Sequence, residues 1–193
     1  MRWTLKPKPD TKKITELATQ LGVDVAISEL LIQRGIENFE DAKTFFRPSW
    51  SDLHDPFLMK DMDKAVERIE VALKNNEQIL VFGDYDVDGT SAVSLVASYL
   101  KTIYPNISTY IPDRYEEGYG VSFKGIDFAE DNNFSLIIAL DCGTKALEKV
   151  TYASEKKIDF IICDHHKPGP ELPKAVAILN PKRADCHYPF DEL

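Results

Sequence analysis

The sequence is poor in cysteine, with Cys142, Cys163 and Cys186 alone among 193 residues. An odd number with no close pair argues against a disulfide framework and against a cysteine-built zinc site. No apolar run approaches the length of a bilayer span. The opening stretch, MRWTLKPKPDTKK, lacks the apolar core of a signal peptide, so a cytoplasmic protein is expected. Positive charge is also short: 23 Lys and Arg face 32 Asp and Glu, a net charge of -9. That balance argues against a broad nucleic-acid-binding surface, unless bound cations cancel part of the acid locally. Internal repeats and low-complexity segments are absent.

The patterning that is present falls into two parts. In the first, Ile14, Leu17 and Leu21 share a helical face, and VAISELLIQRG ends on Gly35, a helix stop. NFEDAKTFF opens with Asn38 and Asp41 as a cap-like pair and ends before Pro48. Residues 49–60 read as a loop, and Met62, Ala65, Ile69 and Leu73 form another helical stripe. From residue 78 the pattern changes to short apolar runs rich in β-branched residues: QILVF, ISTYI, SLIIAL, DFIIC and AVAIL. Helical patterns separate the first four, with stripes at Val93, Val96, Leu100, Ile103 and at Leu147, Val150, Ala153. Strands alternating with helices imply parallel pairing through right-handed crossovers. The expected fold is α/β, a parallel-dominated sheet with helices on both faces. Residues 1–75 are expected to form a helical segment packing on that core, and 76–193 the α/β lobe.

Three of these strands run into acidic residues. The first meets Asp84, Asp86 and Asp88 in GDYDVDGT; the third meets Asp141 in LDCGT; the fourth meets Asp164, His165 and His166 in CDHHKPG. Ligands of open α/β sheets bind outside the carboxyl ends of the strands, so carboxylates and imidazoles converge on one edge. Asp84, Asp86 and Asp88 would repel one another without a positive partner. A calcium loop of the EF-hand type fails, because Leu95 stands where its bidentate glutamate belongs and a strand precedes the motif. YDVDGT resembles the opening motif of haloacid-dehalogenase phosphatases, with Asp86 as nucleophile, but leaves Asp84 and both histidines without a role. A set of oxygens plus imidazole suits two divalent ions, magnesium or manganese, which together support phosphodiester hydrolysis. An extended backbone from 84 to 88 would point alternate aspartates the same way.

GDYDVDG, DCG and DHH, in this order, resemble the first three motifs of the DHH phosphoesterase superfamily, and within it the RecJ-type single-strand-specific exonucleases. LLIQRGI, FFRPSWSDLHDPFLMKDMDKAVERI, YIPDRYEEGYGVS and LNPKRADCHYPFDEL are similar to RecJ-type segments in their usual order. The resemblance implies a metal-dependent exonuclease of DNA repair and recombination that degrades single-stranded DNA from its 5′ end, with two Mn2+ or Mg2+ ions. A DHH enzyme acting on dinucleotides is the alternative within the superfamily. Asp84, Asp86, Asp88, Asp141 and His165 would be metal ligands, His166 would contact the scissile phosphate, and Asp164 would orient the site. Arg114 would contact a phosphate, against a salt bridge to Glu116 or Glu117. Partners of the complete protein would include a single-strand-binding protein or a helicase. The family's fourth acidic motif would fall beyond Leu193, so the chain reads as a piece of a longer protein. Cys142 and Cys163 read as small buried hydrophobes, and Trp3, Trp50 and the N-terminal phenylalanines as core.

Overall fold

A computed structural model of the chain describes residues 4–190. It divides into two compact units, Met1–His54 and Asp55–Leu193. In the first, α1 (Thr11–Leu21) starts at Asp10, whose carboxylate accepts the Lys12 N–H, and stops at Gly22 in the left-handed region, φ 66°. Helices α2 (Val25–Ile32) and α3 (Phe39–Phe46) follow, the latter capped as expected by Asn38 accepting from the Asp41 N–H. Ile14, Leu17, Leu31 and Ile32 form a small core. The aromatic residues were expected inside and are not. Trp50 is 90% exposed, and Phe39, Phe45 and Phe46 are exposed too; Trp3 lies outside the described residues. That core is built by α1 and α2 alone, and four aliphatic side chains there are too few to enclose these bulky rings.

The second unit opens on a single 3-10 turn (Pro56–Leu58), followed by α4 (Met62–Lys74), β1 (Gln78–Gly83), α5 (Val87–Ile103), β2 (Ile107–Tyr110), α6 (Phe123–Asp131), β3 (Phe134–Leu140), α7 (Leu147–Glu155), β4 (Asp159–Cys163) and β5 (Ala177–Leu179). The five strands are parallel in the order β2-β1-β3-β4-β5. Alternate strand residues face opposite helical layers. Ile79, Val81, Leu136, Ile138 and Ile161 pack with Ala65 and Ala72 of α4 and Val93 and Ala97 of α5. Leu80, Phe82, Ile137, Phe160 and Ile162 pack with Ile126 and Ala129 of α6 and Val150 and Ala153 of α7. Both faces are covered, which is why the strands read as continuous apolar runs. Because α4 is built into one of these layers, the units part at His54, earlier than the boundary expected at residue 75. A buried ion pair, Arg183 Nη1 to Asp61 Oδ2 at 2.6 Å, ties the segment after β5 to the start of α4.

The register of the sheet sets the site. Gly83 pairs with Leu140, Leu140 with Cys163, and Cys163 with Leu179. This is the last row of the sheet, and the residues one step beyond it are Asp84, Asp141, Asp164 and Asn180. The strand order reverses around β1, because β2 lies on one side of it and β3 on the other. Asp84 and Asp141 therefore stand at the topological switch point, where open parallel sheets bind ligands.

Candidate metal centre

Asp84 is fully buried at the end of β1, and its Oδ1 accepts the Tyr85 N–H at 2.7 Å. Its Oδ2 is buried with no hydrogen-bond donor. Burial pushes its pKa up. The Tyr85 N–H opposes that, the charge of Asp86 adds to it, and the nearby Tyr119 hydroxyl and Gly120 N–H pull it back in part. Gly89 lets the first turn of α5 press on this residue: a Cβ there would meet the Asp84 backbone O and N at 2.5 and 2.6 Å.

Asp86 and Asp88 do not continue an extended strand as expected. Asp86 is the N-cap of α5, its Oδ1 accepting the Gly89 N–H at 3.0 Å, and Asp88 lies in the first helical turn. A D-x-D-x-D run is compatible with strand or cap; here the unpaired N–H groups of the helix start recruit the middle aspartate. Both side chains remain exposed beside the buried pair.

Asp141 sits in the left-handed region, φ 59°, which turns its carboxylate off the line of β3. Its N–H still bonds the Cys163 carbonyl at 2.8 Å. Oδ1 is buried without a hydrogen-bond donor, although His165 Nε2 lies 2.9 Å away. The two atoms touch without donor alignment, as two ligand atoms do around a shared cation. Burial raises the Asp141 pKa, the charge of Asp86 raises it further, the two histidines oppose, and Asp88 adds to the rise. Ligand atoms of Asp141, His165 and His166 all lie within 4.8 Å of one another. Asp84, Asp86 and Asp88 fall outside that tight trio and border it through their charge.

Asp164 is built differently. Its Oδ1 accepts the N–H of His165 at 2.7 Å and of His166 at 3.0 Å, and faces His166 Nδ1 at 2.7 Å. Its Oδ2 accepts the Thr144 N–H at 2.9 Å. Burial alone would raise this carboxyl; the donors from His166 and Thr144 outweigh it and hold the pKa below the ordinary value. Buried Asn180 completes the loop, donating to Thr144 Oγ1 at 3.0 Å and to the His166 carbonyl at 2.9 Å.

Two residues of this constellation were not singled out from the sequence. Asn180 is placed by the register of β5. Tyr119 stands between Gly118 and Gly120, both at positive φ, and brings its hydroxyl to 3.3 Å from His166 Nε2. Its ring meets Tyr85 edge-on at 5.9 Å, and burial with the charges of Asp84, Asp141 and Asp86 raises its pKa. The glycine-tyrosine-glycine spacing was the available signal. Arg114 is exposed with its guanidinium 5.5 Å from the Tyr85 ring. Neither expected salt bridge forms among the described residues, since Glu116 pairs with Lys124 and Glu117 accepts from Tyr110 and Ser122. Burial lifts the Cys142 thiol well above its usual range and pushes Cys163 up to about 12, so neither supplies a thiolate.

The second unit is thus a doubly covered parallel α/β domain that gathers aspartates and histidines at its switch point, with two buried carboxylate oxygens that no donor meets. The chain belongs to the DHH family, whose N-terminal domain pattern matches residues 78–188. It is 40% identical over its full 193 residues to the single-stranded-DNA-specific exonuclease RecJ of Bacillus subtilis, covering 24% of that protein. The same enzyme of Escherichia coli is 35% identical over 136 residues, 70% of this chain and 24% of that protein. The chain therefore spans about a quarter of the length of these curated relatives. A crystal structure of exonuclease RecJ bound to manganese superposes with a TM-score of 0.63 at 27% identity, over 69% of this chain and 34% of that one. The Mn2+ complex of RecJ from Thermus thermophilus matches the fold over 97% of this chain and 26% of that one, with a TM-score of 0.71 at 22% identity.

Proposed function

We propose that the chain is the N-terminal part of a metal-dependent phosphodiesterase that degrades single-stranded DNA from its 5′ end. The observation that carries this reading is the pair of buried carboxylate oxygens without donors, Asp84 Oδ2 and Asp141 Oδ1, beside the imidazoles of the DHH loop. An uncompensated buried carboxylate is costly, and a divalent cation removes the cost. The donor set of carboxylates with imidazole fits manganese or magnesium. Asp84, Asp141 and His165 would hold the first ion, with exposed Asp86 and Asp88 facing a second. Bound there, the ions supply charge compensation at phosphorus and water activation.

The chain's own groups do the rest. Asp164 fixes the turn that carries both histidines and holds the His166 ring through Nδ1, leaving Nε2 directed at Tyr119 and the cavity beyond. His166 then contacts the scissile phosphate, and Asp164 acts through it. Exposed Arg114, stacked near Tyr85, reaches a phosphate farther along the strand. The likeness to single-stranded-DNA-specific exonucleases supports single-stranded DNA as the substrate.

The haloacid-dehalogenase reading loses its footing on geometry. Its nucleophile is Asp86, and Asp86 is occupied in capping α5, whereas Asp84 is the residue that directly follows β1. Hydrolysis of a 5′-labelled single-stranded DNA tests the proposal, by this chain and by the same chain extended to the length of its relatives, in manganese and in chelator. Manganese-dependent release of mononucleotides by the extended protein is expected. No release by either would overturn the reading, and cleavage of dinucleotides alone would replace the substrate.

A further inference from the structure

A cavity of about 300 Å³ adjoins the metal centre, walled by Tyr119, Cys142, Lys145, Lys149, Asp164 and His166. Its electrostatics are opposite to those of the aspartate row beside it. Asp164 is the one carboxylate in its wall, and both Asp164 oxygens are taken up by the N–H groups of Thr144, His165 and His166. Lys145 and Lys149 form no ion pair among the described residues, so neither ammonium is neutralised by a carboxylate of the wall. What sets Lys145 and Lys149 apart is that both line one concavity beside His166. Lys149 is half-buried and its ammonium sits 5.4 Å from the Phe123 ring centroid, so part of its freedom is already lost. The adjoining helix α7 has Ala146 at its N-cap and no side chain capping it, which adds the positive end of its dipole to the same side.

We infer that this cavity is a phosphate subsite, with Lys145 and Lys149 as its cations and His166 shared with the metal centre. The ligand is a backbone phosphate of the bound strand, next to the one being cleaved. The inference rests on the phosphodiesterase reading and deepens it. A strand laid across the sheet edge meets a net negative row of aspartates, which repels every phosphate not compensated there. A cationic recess on the α7 side attracts the neighbouring phosphate and so fixes the direction in which the strand leaves the centre.

The test is binding, measured by calorimetry on the whole chain with calcium present to neutralise the aspartates. The probes are 5′-phosphorylated dithymidylate and thymidine 5′-monophosphate, and the variants are Lys145→Gln with Lys149→Gln, and Lys145→Arg with Lys149→Arg. The glutamine pair is expected to weaken dinucleotide binding roughly tenfold or more, and to flatten its salt dependence, since the lost contact is between charges. The arginine pair restores both, and mononucleotide binding changes little. An equal loss on both probes overturns the assignment to a neighbouring backbone phosphate. Dinucleotide affinity unchanged in the glutamine pair, or no binding by the unaltered chain, overturns the subsite. The nuclease assay fails separately: absent hydrolysis with lysine-dependent binding removes the phosphodiesterase reading and leaves the site.

Discussion

The strand ends at β3 and β4 carry neighbouring aspartates built on opposite principles. Around Asp164, three backbone N–H groups and an imidazole meet the carboxylate, and its pKa is held down. Around Asp141, a buried oxygen has an imidazole nitrogen beside it and no aligned donor, and its pKa is raised. Asp84 shares the second condition. The carboxylates thus play different parts: Asp164 stabilises a loop in the folded chain itself, whereas buried Asp84 and Asp141 carry charge that no aligned donor compensates.

That contrast makes definite demands on substitutions. Asp164→Ala strands three N–H groups, two of them on the histidines, and is expected to cost about 3 kcal/mol in chemical denaturation. It also abolishes activity of the extended protein, since His166 loses its anchor. Gly89→Ala drives a methyl into the Asp84 backbone and is expected to cost about 2 kcal/mol, with metal affinity falling as α5 moves off the strand end. Asp86→Ala removes both a proposed ligand and the cap of α5, so it costs about 1 kcal/mol even in chelator; a purely functional aspartate would leave stability unchanged. Asp141→Asn is the counter-case. Asparagine tolerates the left-handed backbone and removes the buried charge, so the metal-free chain is expected to gain about 1 kcal/mol.

The pH dependence has opposite signs at the two sites. Asp164 has a folded pKa below the ordinary 3.8, so its contribution is present above that value and is lost as pH falls through the folded one. Asp141 has a folded pKa above 3.8, so its penalty is fully present above the folded value and fades as pH falls toward 3.8. In chelator, the advantage of Asp141→Asn should shrink between neutral pH and about 4. Urea denaturation of both chains across that range measures it, and a constant difference would contradict the raised pKa.

Much of this was legible in the residues. The β-branched runs located every strand, and the aspartates that end them could be read off as the rim of one sheet edge. What the sequence could not supply was register. Asn180 joins Asp84, Asp141 and Asp164 in one row only because Cys163 pairs with Leu179. The geometry of Asp86 was misread because capping and extended aspartates share one spacing, and only the helix start at Val87 decides between them. Tyr119 reaches His166 through a loop turned by two glycines, a contact between residues 47 positions apart that no local pattern encodes. Helix α6 lacks a clean stripe, and its start is marked by Ser122 accepting the Gly125 N–H at 2.9 Å. The exposed aromatics of the first unit show the converse limit: apolar character there did not mean burial.

The most direct measurement is the thermal unfolding of the unaltered chain and of Asp141→Asn, each in manganese and in chelator. Manganese should raise the midpoint of the unaltered chain by several degrees, roughly what 2–3 kcal/mol of linked binding gives a domain of this size. The variant should start higher in chelator and respond little. Equal shifts in the two chains, or none in the unaltered one, would contradict the assignment of the Asp84–Asp141 end of the row as the cation site.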